Sequence, residues 1–120
     1  MLNVEKLSAG YEGVTVIREI SFYVEKGELV SIVGSNGAGK STTLKAVSGL
    51  IKPYSGKIAF DGKDITRMPA HEITALGLAH VPEGRRLFPK MSVLNNLLTG
   101  AHTLKDQKKV AANLEKVMEL

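Results

Sequence analysis

The 120-residue chain contains no cysteine, so it can form neither disulfides nor thiolate metal sites. Aromatic residues make up only 5% of it and its net charge is a mild +4, whereas nucleic-acid binding would require a denser basic stripe with interleaved aromatics. No 18-residue apolar run is present to span a membrane, and the N-terminus lacks the apolar core of a secretory signal. The 43% hydrophobic and 23% charged residues are instead typical of one globular domain.

Short apolar runs predict the strands. Alternation over residues 2–7 predicts a first strand that breaks at a turn over 8–13, and residues 20–24 predict a second. Two β-branched or apolar runs, 29–33 and 78–81, predict short and mostly buried strands. Residues 57–60 and 63–65 flank Asp61-Gly62, which is a strong two-residue hairpin signal.

Helical spacing predicts four helices. The first follows the glycine-rich segment and runs to about Ile51, and the second begins near Pro69 and ends at Gly77. Ser92 is the expected N-cap of a helix over 93–99. A last helix is expected over 104–120, with an apolar stripe that favours core or partner packing, formed by Val110, Leu114, Val117 and Met118.

The segment Gly34-Ser-Asn-Gly-Ala-Gly-Lys40-Ser41 matches the phosphate-binding pattern G-x-x-x-x-G-K-[ST] in full. Glycines allow successive backbone N–H groups to point inward as an anion-binding nest, and the following helix adds the positive end of its dipole. Lys40 is the expected cation for the β- and γ-phosphates, and the Ser41 hydroxyl is the expected Mg²⁺ ligand. The expected nucleotide-binding residues of this loop are Gly34, Ser35, Asn36, Gly37, Ala38, Gly39, Lys40, Ser41 and Thr42.

Two other interpretations of this loop are weaker. A glycine-rich turn without a ligand would not need the β-branched run before it together with the apolar-periodic helix after it. A dinucleotide fingerprint would need a third glycine at position 42, where threonine stands, and has no use for Lys40-Ser41. The pattern therefore predicts a site for nucleotide phosphates, most simply those of Mg-ATP.

The residues from Ser35 to Thr42 also resemble the Walker A sequence of ATP-binding cassette (ABC) ATPases. The resemblance covers the whole chain. Tyr11 stands where that family has an aromatic that stacks on adenine, although a packing aromatic in a turn is the alternative. Residues 53–65 are similar to the family's P-x-x-G-x-[IV]-x-[FL]-x-G-x-[DP]-[IL] hairpin.

Glu83 falls where most ABC ATPases have the glutamine of the Q-loop. Glutamate followed by Gly-Arg-Arg-Leu-Phe-Pro is similar to the ATPases of branched-chain amino-acid importers and their amide and urea relatives. An ionised carboxylate can ligate Mg²⁺ but repels phosphate, so a metal-linked or coupling role is expected for Glu83. Arg85 and Arg86 are more simply solvated or partner-facing. His71, His80 and His102 have no metal-ligand spacing.

The resemblance implies an α/β fold, a P-loop NTPase core of ABC type with an N-terminal antiparallel β-subdomain and the start of a helical subdomain. Residues 1–120 would form the N-terminal half of one nucleotide-binding domain and would therefore be incomplete. Within it, 1–33 and 57–65 would supply the β-subdomain and core strands, 34–51 the P-loop and helix, 82–91 the Q-loop region, and 92–120 the start of the helical subdomain.

The resemblance also implies partners and location. They are a nucleotide, a second ABC ATPase subunit, and transmembrane permease subunits that contact residues 83–93, with the protein peripheral on the cytoplasmic face of the inner or plasma membrane. No nucleic-acid partner is expected. The family's signature sequence, Walker B aspartate, catalytic glutamate and switch histidine have no counterpart in residues 1–120. Two functions therefore stay open: the ATP-binding part of an import ATPase, or a nucleotide-binding fragment without catalysis that self-associates through its open apolar edges.

Overall fold

The computed structural model describes residues 1–120, which divide into two units, residues 1–80 and residues 81–120. The first unit contains four strands and two helices: β1 (Leu2–Tyr11), β2 (Val14–Val24), α1 (Lys40–Val47), β3 (Ser55–Phe60), β4 (Lys63–Asp64) and α2 (Ala70–Ala75). The second unit contains α3 (Val93–Thr99) and α4 (Gln107–Met118). No helix combines the length and the apolar character needed to cross a membrane.

The strands form one antiparallel sheet in the order β2-β1-β3-β4. Two-residue turns close both hairpins, Glu12-Gly13 between β1 and β2 and Asp61-Gly62 between β3 and β4. All four turn residues have positive φ, between 48° and 80°, as the type I′ turns that match the strand twist require. The hairpin predicted around Asp61-Gly62 is confirmed.

Strand β1 is longer than the sequence predicted. The predicted break after Leu7 was wrong, because β1 continues to Tyr11 and pairs with β2 up to the turn. Lys6 has a φ of +46° and the register shifts at this point, so a β-bulge interrupts the alternation. The bulge lets Val4, Leu7 and then Ala9 all face the core, a spacing that simple alternation does not contain.

Two serine hydroxyls accept backbone N–H groups at the bulge and at its counterpart in β2. The Ser21 Oγ accepts from the Lys6 N–H at 2.8 Å, and the Ser8 Oγ accepts from the Glu19 N–H at 2.9 Å. Glu19 also has a positive φ, 45°. These hydroxyls replace ladder bonds that the irregular register removes.

The core lies between the sheet and the helices of the first unit. Its largest fully buried side chains are Leu7, Ile58, Ile65, Ile73 and Val4. Strand β3 begins very close to the bulge: a Cβ on Gly56, which has a φ of +94°, would lie 2.4 Å from the Lys6 carbonyl oxygen. Only glycine therefore fits where the start of β3 lies beside the bulge of β1.

The strands predicted over 29–33 and 78–81 were wrong. Neither segment pairs with the sheet. Most of the predicted burial is absent as well, since Leu29, Val33 and Val81 are about nine-tenths exposed, although Leu78 is partly buried against the core. A β-branched run becomes a strand only where another strand offers it hydrogen-bonding partners. None of the four strands of the sheet offers them to these segments.

The helices of the first unit are confirmed with shorter bounds. Helix α1 ends at Val47 instead of near Ile51, because Gly49 adopts positive φ and the N–H groups of Gly49 and Leu50 bond back to Ala46 and Lys45. These two bonds form a Schellman motif. Helix α2 starts after Pro69, and Gly77 follows it with the expected left-handed conformation.

In the second unit, α3 spans the predicted residues 93–99. The Ser92 Oγ accepts the Asn95 N–H at 3.1 Å, so the predicted N-cap is confirmed. Helix α4 begins three residues later than predicted, because the Asp106 carboxylate caps it by accepting the Lys108 N–H. On the predicted stripe, Val110, Leu114 and Val117 line a groove of about 270 Å³ against α3. Val110 and Leu114 are half-buried, whereas Val117 and Met118 are exposed.

The Asp64 carboxylate generates a pH-dependent prediction. It accepts hydrogen bonds from the Thr66 hydroxyl and from the Thr66 backbone N–H. Both bonds hold the pKa of Asp64 below its usual range, and the bond from the hydroxyl has the larger effect. A carboxyl whose pKa is lower in the folded state stabilises the fold above its unfolded pKa and loses that contribution as the pH falls through the folded value. Unfolding of the wild type and Asp64→Asn should therefore differ by a constant amount above about pH 5 and converge in acid. A difference that persisted unchanged to about pH 2 would contradict this assignment.

Candidate functional site

The glycine-rich loop connects the unpaired segment 28–33 to α1. The Ala38 N–H donates to the Ser35 carbonyl at 3.1 Å, which closes a tight turn inside the loop. Gly37 and Gly39 have φ values of +86° and +98°. Residues in the left-handed region turn their N–H groups to the same side as those of their right-handed neighbours, and this arrangement makes an anion-binding concavity.

Gly39 is the residue at which this loop packs against the sheet. It is buried, and it is the N-cap residue of α1 in the left-handed conformation. A Cβ at this position would lie 2.3 Å from the Ile17 Cγ2 and 3.6 Å from the Val16 Cγ1. Strand β2 therefore lies directly against the loop and sets the position from which α1 begins.

The Lys40 side chain turns back over the loop. Its ammonium donates to the Gly34 carbonyl and, at 3.3 Å, to the Ser35 carbonyl. Lys40 is partly buried and is the first residue of α1, so the charge lies beside the free N–H groups at the helix N-terminus. The loop thus brings together a cation, a helix dipole and glycine N–H groups, and each of these favours a bound anion.

The three hydroxyl residues after Lys40 have different surroundings. Ser41 is exposed, whereas Thr42 and Thr43 are 5% and 3% exposed. The Thr43 Oγ1 donates to the Gly39 carbonyl at 2.8 Å, so this hydroxyl closes the first turn of α1. Of these three hydroxyls, the one that the structure presents to solvent is that of Ser41, which suits the predicted metal-ligand role.

Tyr11 lies beside α1, at the end of β1 just before the hairpin turn. The hydroxyl oxygens of Tyr11 and Thr42 are 3.4 Å apart, and the Lys45 Nζ is 5.7 Å from the centroid of the Tyr11 ring. The ring is 40% exposed. The structure therefore brings Tyr11 against the first two turns of α1. Thr42 and Lys45, the two residues that it contacts there, follow it by more than 30 positions in the sequence.

Glu83 lies in the second unit, where its side chain is exposed and the Arg86 Nε donates to its carbonyl oxygen at 3.3 Å. Ser41 lies in the first unit, so a shared metal site for these two residues stays a prediction. The chain contains no cluster of three or more histidine, aspartate or glutamate side chains that could hold a metal by themselves.

Three residues of the site were missed by sequence reasoning: Ile17, Lys45 and Tyr54. Ile17 supports Gly39, Lys45 lies over the Tyr11 ring, and the Tyr54 hydroxyl contacts the β1–β2 turn. Lys45 was accessible to sequence analysis, because it follows the loop lysine by five residues and helical spacing limits where it can point. No sequence pattern relates Ile17 or Tyr54 to the loop, because their contacts depend on the sheet register.

The protein-family model described as ABC transporter matches residues 17–120. The branched-chain amino-acid transport ATP-binding protein BraG of Pseudomonas aeruginosa is 39% identical over all of this chain, and the probable LivF protein of Archaeoglobus fulgidus is 34% identical over 99% of it. A lipopolysaccharide export ATP-binding protein, LptB of Acidithiobacillus ferridurans, is 38% identical over 87% of the chain. The chain spans about half the length of these relatives: 51%, 50% and 43%.

A solved structure agrees with these matches. The structure described as the ATP-binding subunit of an ABC transporter superposes with a TM-score of 0.75 at 33% identity, and the match covers 88% of this chain and 43% of that one. The expected fold, an incomplete P-loop NTPase of ABC type with an antiparallel β-subdomain, is confirmed.

The contact between Gly39 and Ile17 can be tested by substitution. Gly37→Ala places a Cβ in open space and should cost only the strain of positive φ, about 1–2 kcal/mol of unfolding free energy. Gly39→Ala adds a collision with a β-branched side chain whose χ1 is stiff, and should cost about 1–3 kcal/mol more, measured by urea unfolding.

A double-mutant cycle with Ile17→Ala identifies the cause. Because Ile17→Ala removes the atom that the new Cβ would meet, it should make Gly39→Ala less costly by at least about 0.5 kcal/mol. Equal costs for the two glycine substitutions, together with additivity in the cycle, would show that β2 does not support the loop in this way.

Proposed function

Since the chain belongs to the ABC transporter family, we propose that it is the nucleotide-binding part of an ATP-binding subunit and that the loop from Gly34 to Thr42 holds Mg-ATP. One observation carries this proposal: the Lys40 ammonium and two left-handed glycines converge on the N-terminus of α1. An anion placed there would meet a positive charge, a helix dipole and unpaired N–H groups together.

Each group of the loop has its own task toward the triphosphate. The free backbone N–H groups of the loop, among them those of Gly37 and Gly39, would cradle the phosphates. Lys40 would exchange the loop carbonyls for the β- and γ-phosphate oxygens. The exposed Ser41 hydroxyl would ligate the Mg²⁺ ion, which neutralises phosphate charge when bound. Tyr11, half-exposed beside α1, would stack on the adenine ring.

Glu83 would complete the metal side of the site in the assembled protein. Its carboxylate is fully free in the second unit to act as a hard oxygen ligand, directly or through water. It would not contact the γ-phosphate, because two negative charges repel each other unless the metal lies between them. This role links the metal to residues 83–93, the segment that we propose contacts the transmembrane permease subunits.

We propose branched-chain amino acids, or related amides or urea, as the transported solutes of the whole protein. The relatives named for branched-chain amino-acid transport match over essentially all of this chain, and the segment Glu83-Gly-Arg-Arg-Leu-Phe-Pro favours the same branch. Relatives named for lipopolysaccharide export and for molybdate or tungstate import match with similar identity. The similarity therefore supports an ABC transporter more strongly than it supports any one solute.

The whole protein would hydrolyse ATP as a pair of ATPase subunits, peripheral on the cytoplasmic face of the membrane. Residues 1–120 by themselves would bind nucleotide without hydrolysing it, because they contain no counterpart of the family's Walker B aspartate and catalytic glutamate, which would hold Mg²⁺ and polarise the attacking water. This nucleotide-binding fragment without catalysis is the second candidate function.

Lys40→Ala tests the phosphate site. Loss of a charged hydrogen-bond donor should weaken Mg-ATP binding by about 10- to 150-fold, measured by calorimetric titration. Lys26→Ala is the matched control, because it removes the same charge from an exposed turn of the same unit without a side-chain hydrogen bond. Equal affinities of the Lys40→Ala variant and the wild type would refute the proposed function.

Glu83→Gln tests the metal-linked role in the intact transporter. The substitution keeps the size and one oxygen ligand but removes the charge, so half-maximal ATPase activity should require a severalfold higher Mg²⁺ concentration and solute uptake per ATP should fall. Glu115→Gln, on the exposed surface of α4, is the control. If Glu83→Gln changed neither quantity, the carboxylate would have no such role.

A further inference from the structure

We propose that Tyr54 is a positioning residue for the nucleobase: it holds the β1–β2 turn so that the Tyr11 ring stays at a fixed distance from the phosphate loop. The inference rests on the proposed ATP site and adds to it a residue outside the Walker A segment. The observation that carries it is a pair of hydrogen bonds from Tyr54 that bracket the end of β1.

The two bonds lie on either side of Tyr11. The Tyr54 backbone N–H donates to the Ser8 carbonyl at 2.8 Å, three residues before Tyr11, and the Tyr54 hydroxyl accepts the Gly13 N–H at 3.0 Å, two residues after it. Tyr54 itself lies directly before β3, in the segment that connects α1 to the sheet. A single residue therefore anchors both sides of the chain segment that presents the aromatic ring.

The Gly13 N–H is left free by the ladder of its own hairpin, so it can donate to an acceptor from outside the hairpin. In a two-residue turn the flanking residues, here Tyr11 and Val14, pair with each other, so the N–H of the second turn residue has no partner in the ladder. Glu12, Gly13 and Val14 are all exposed, and no apolar contact buries the turn. The tyrosine hydroxyl thus makes a hydrogen bond that joins the turn itself to the rest of the first unit.

The other side of Tyr11 faces α1. The Tyr11 hydroxyl is 3.4 Å from the Thr42 Oγ1, and the Lys45 ammonium lies over the Tyr11 ring. The Tyr11 ring is consequently held to the start of α1 through Thr42, and its chain segment is held to the residues after α1 through Tyr54. Since α1 begins at the phosphate loop, the same helix would fix the positions of both the base and the phosphates of a bound nucleoside triphosphate.

A residue that only stabilised the fold would affect every ligand alike, whereas a positioning residue affects only ligands that have a base. The discriminating ligands are therefore ATP and inorganic tripolyphosphate, each with Mg²⁺, titrated into the intact protein. Tyr54→Phe removes the hydroxyl and keeps the ring. It should weaken ATP binding by about three- to tenfold, the loss expected for one hydrogen bond, and change tripolyphosphate binding by less than about twofold.

Two controls make the comparison specific. Tyr23→Phe removes the same atom from an exposed tyrosine of the same sheet whose hydroxyl makes no hydrogen bond, and should leave both affinities unchanged. Tyr11→Ala should weaken ATP binding by about 5- to 150-fold, as for loss of base stacking. In the Tyr11→Ala background, Tyr54→Phe should have no further effect, because Tyr54 acts through the Tyr11 ring.

The outcomes separate this inference from the proposed function. If the wild type binds neither ligand, the proposed ATP site fails and the inference falls with it. If the wild type binds both ligands and Tyr54→Phe weakens them equally, or weakens neither, only the positioning role is overturned. Hydrogen exchange gives a readout without ligand: Tyr54→Phe should accelerate exchange of the Gly13 amide, and an unchanged rate would overturn the contact itself.

Discussion

The contact between Gly39 and Ile17 is the constraint on which the rest of the site depends. Because Gly39 has no side chain, the Ile17 side chain of β2 packs directly against the backbone at the N-terminus of α1, and this contact fixes where the loop enters the helix. The left-handed conformation of Gly39 serves two purposes, the close approach to the sheet and the inward direction of the loop N–H groups. Packing and anion recognition are therefore built from the same residue.

The antiparallel sheet places Tyr11, the residue that we propose stacks on the base, beside the helix that follows the phosphate loop. Its first hairpin supports the loop through Ile17 in β2 and presents Tyr11 at the end of β1, so one hairpin positions both parts of the proposed nucleotide site. The bulge at Lys6 is part of this arrangement, because it lets β1 stay in register with the core as far as Tyr11. The local geometry of the loop and of Tyr11 therefore supports the nucleotide that we propose for this site.

Local sequence signals predicted the turns and helix ends of the chain well. Asp61-Gly62, Ser92 and Gly77 lie where their turn and cap chemistry indicated, because each acts on its own backbone within a few residues. The errors came where the outcome depends on distant partners. Residues 29–33 have the composition of a buried strand, yet no strand of the sheet pairs with them. The sequence predicts a turn at the end of β1, because the bulge at Lys6 interrupts the alternation that would indicate a strand.

The sequence by itself determined the phosphate loop and the family, since the spacing of its glycines, Lys40 and Ser41 is a local property of consecutive residues. It also indicated Tyr11, through its offset from that loop. The tertiary structure alone decided what holds these residues together. Contacts of Tyr54 with Gly13 and of Ile17 with Gly39 join positions 41 and 22 residues apart, and strand register sets such distances, which no local pattern encodes.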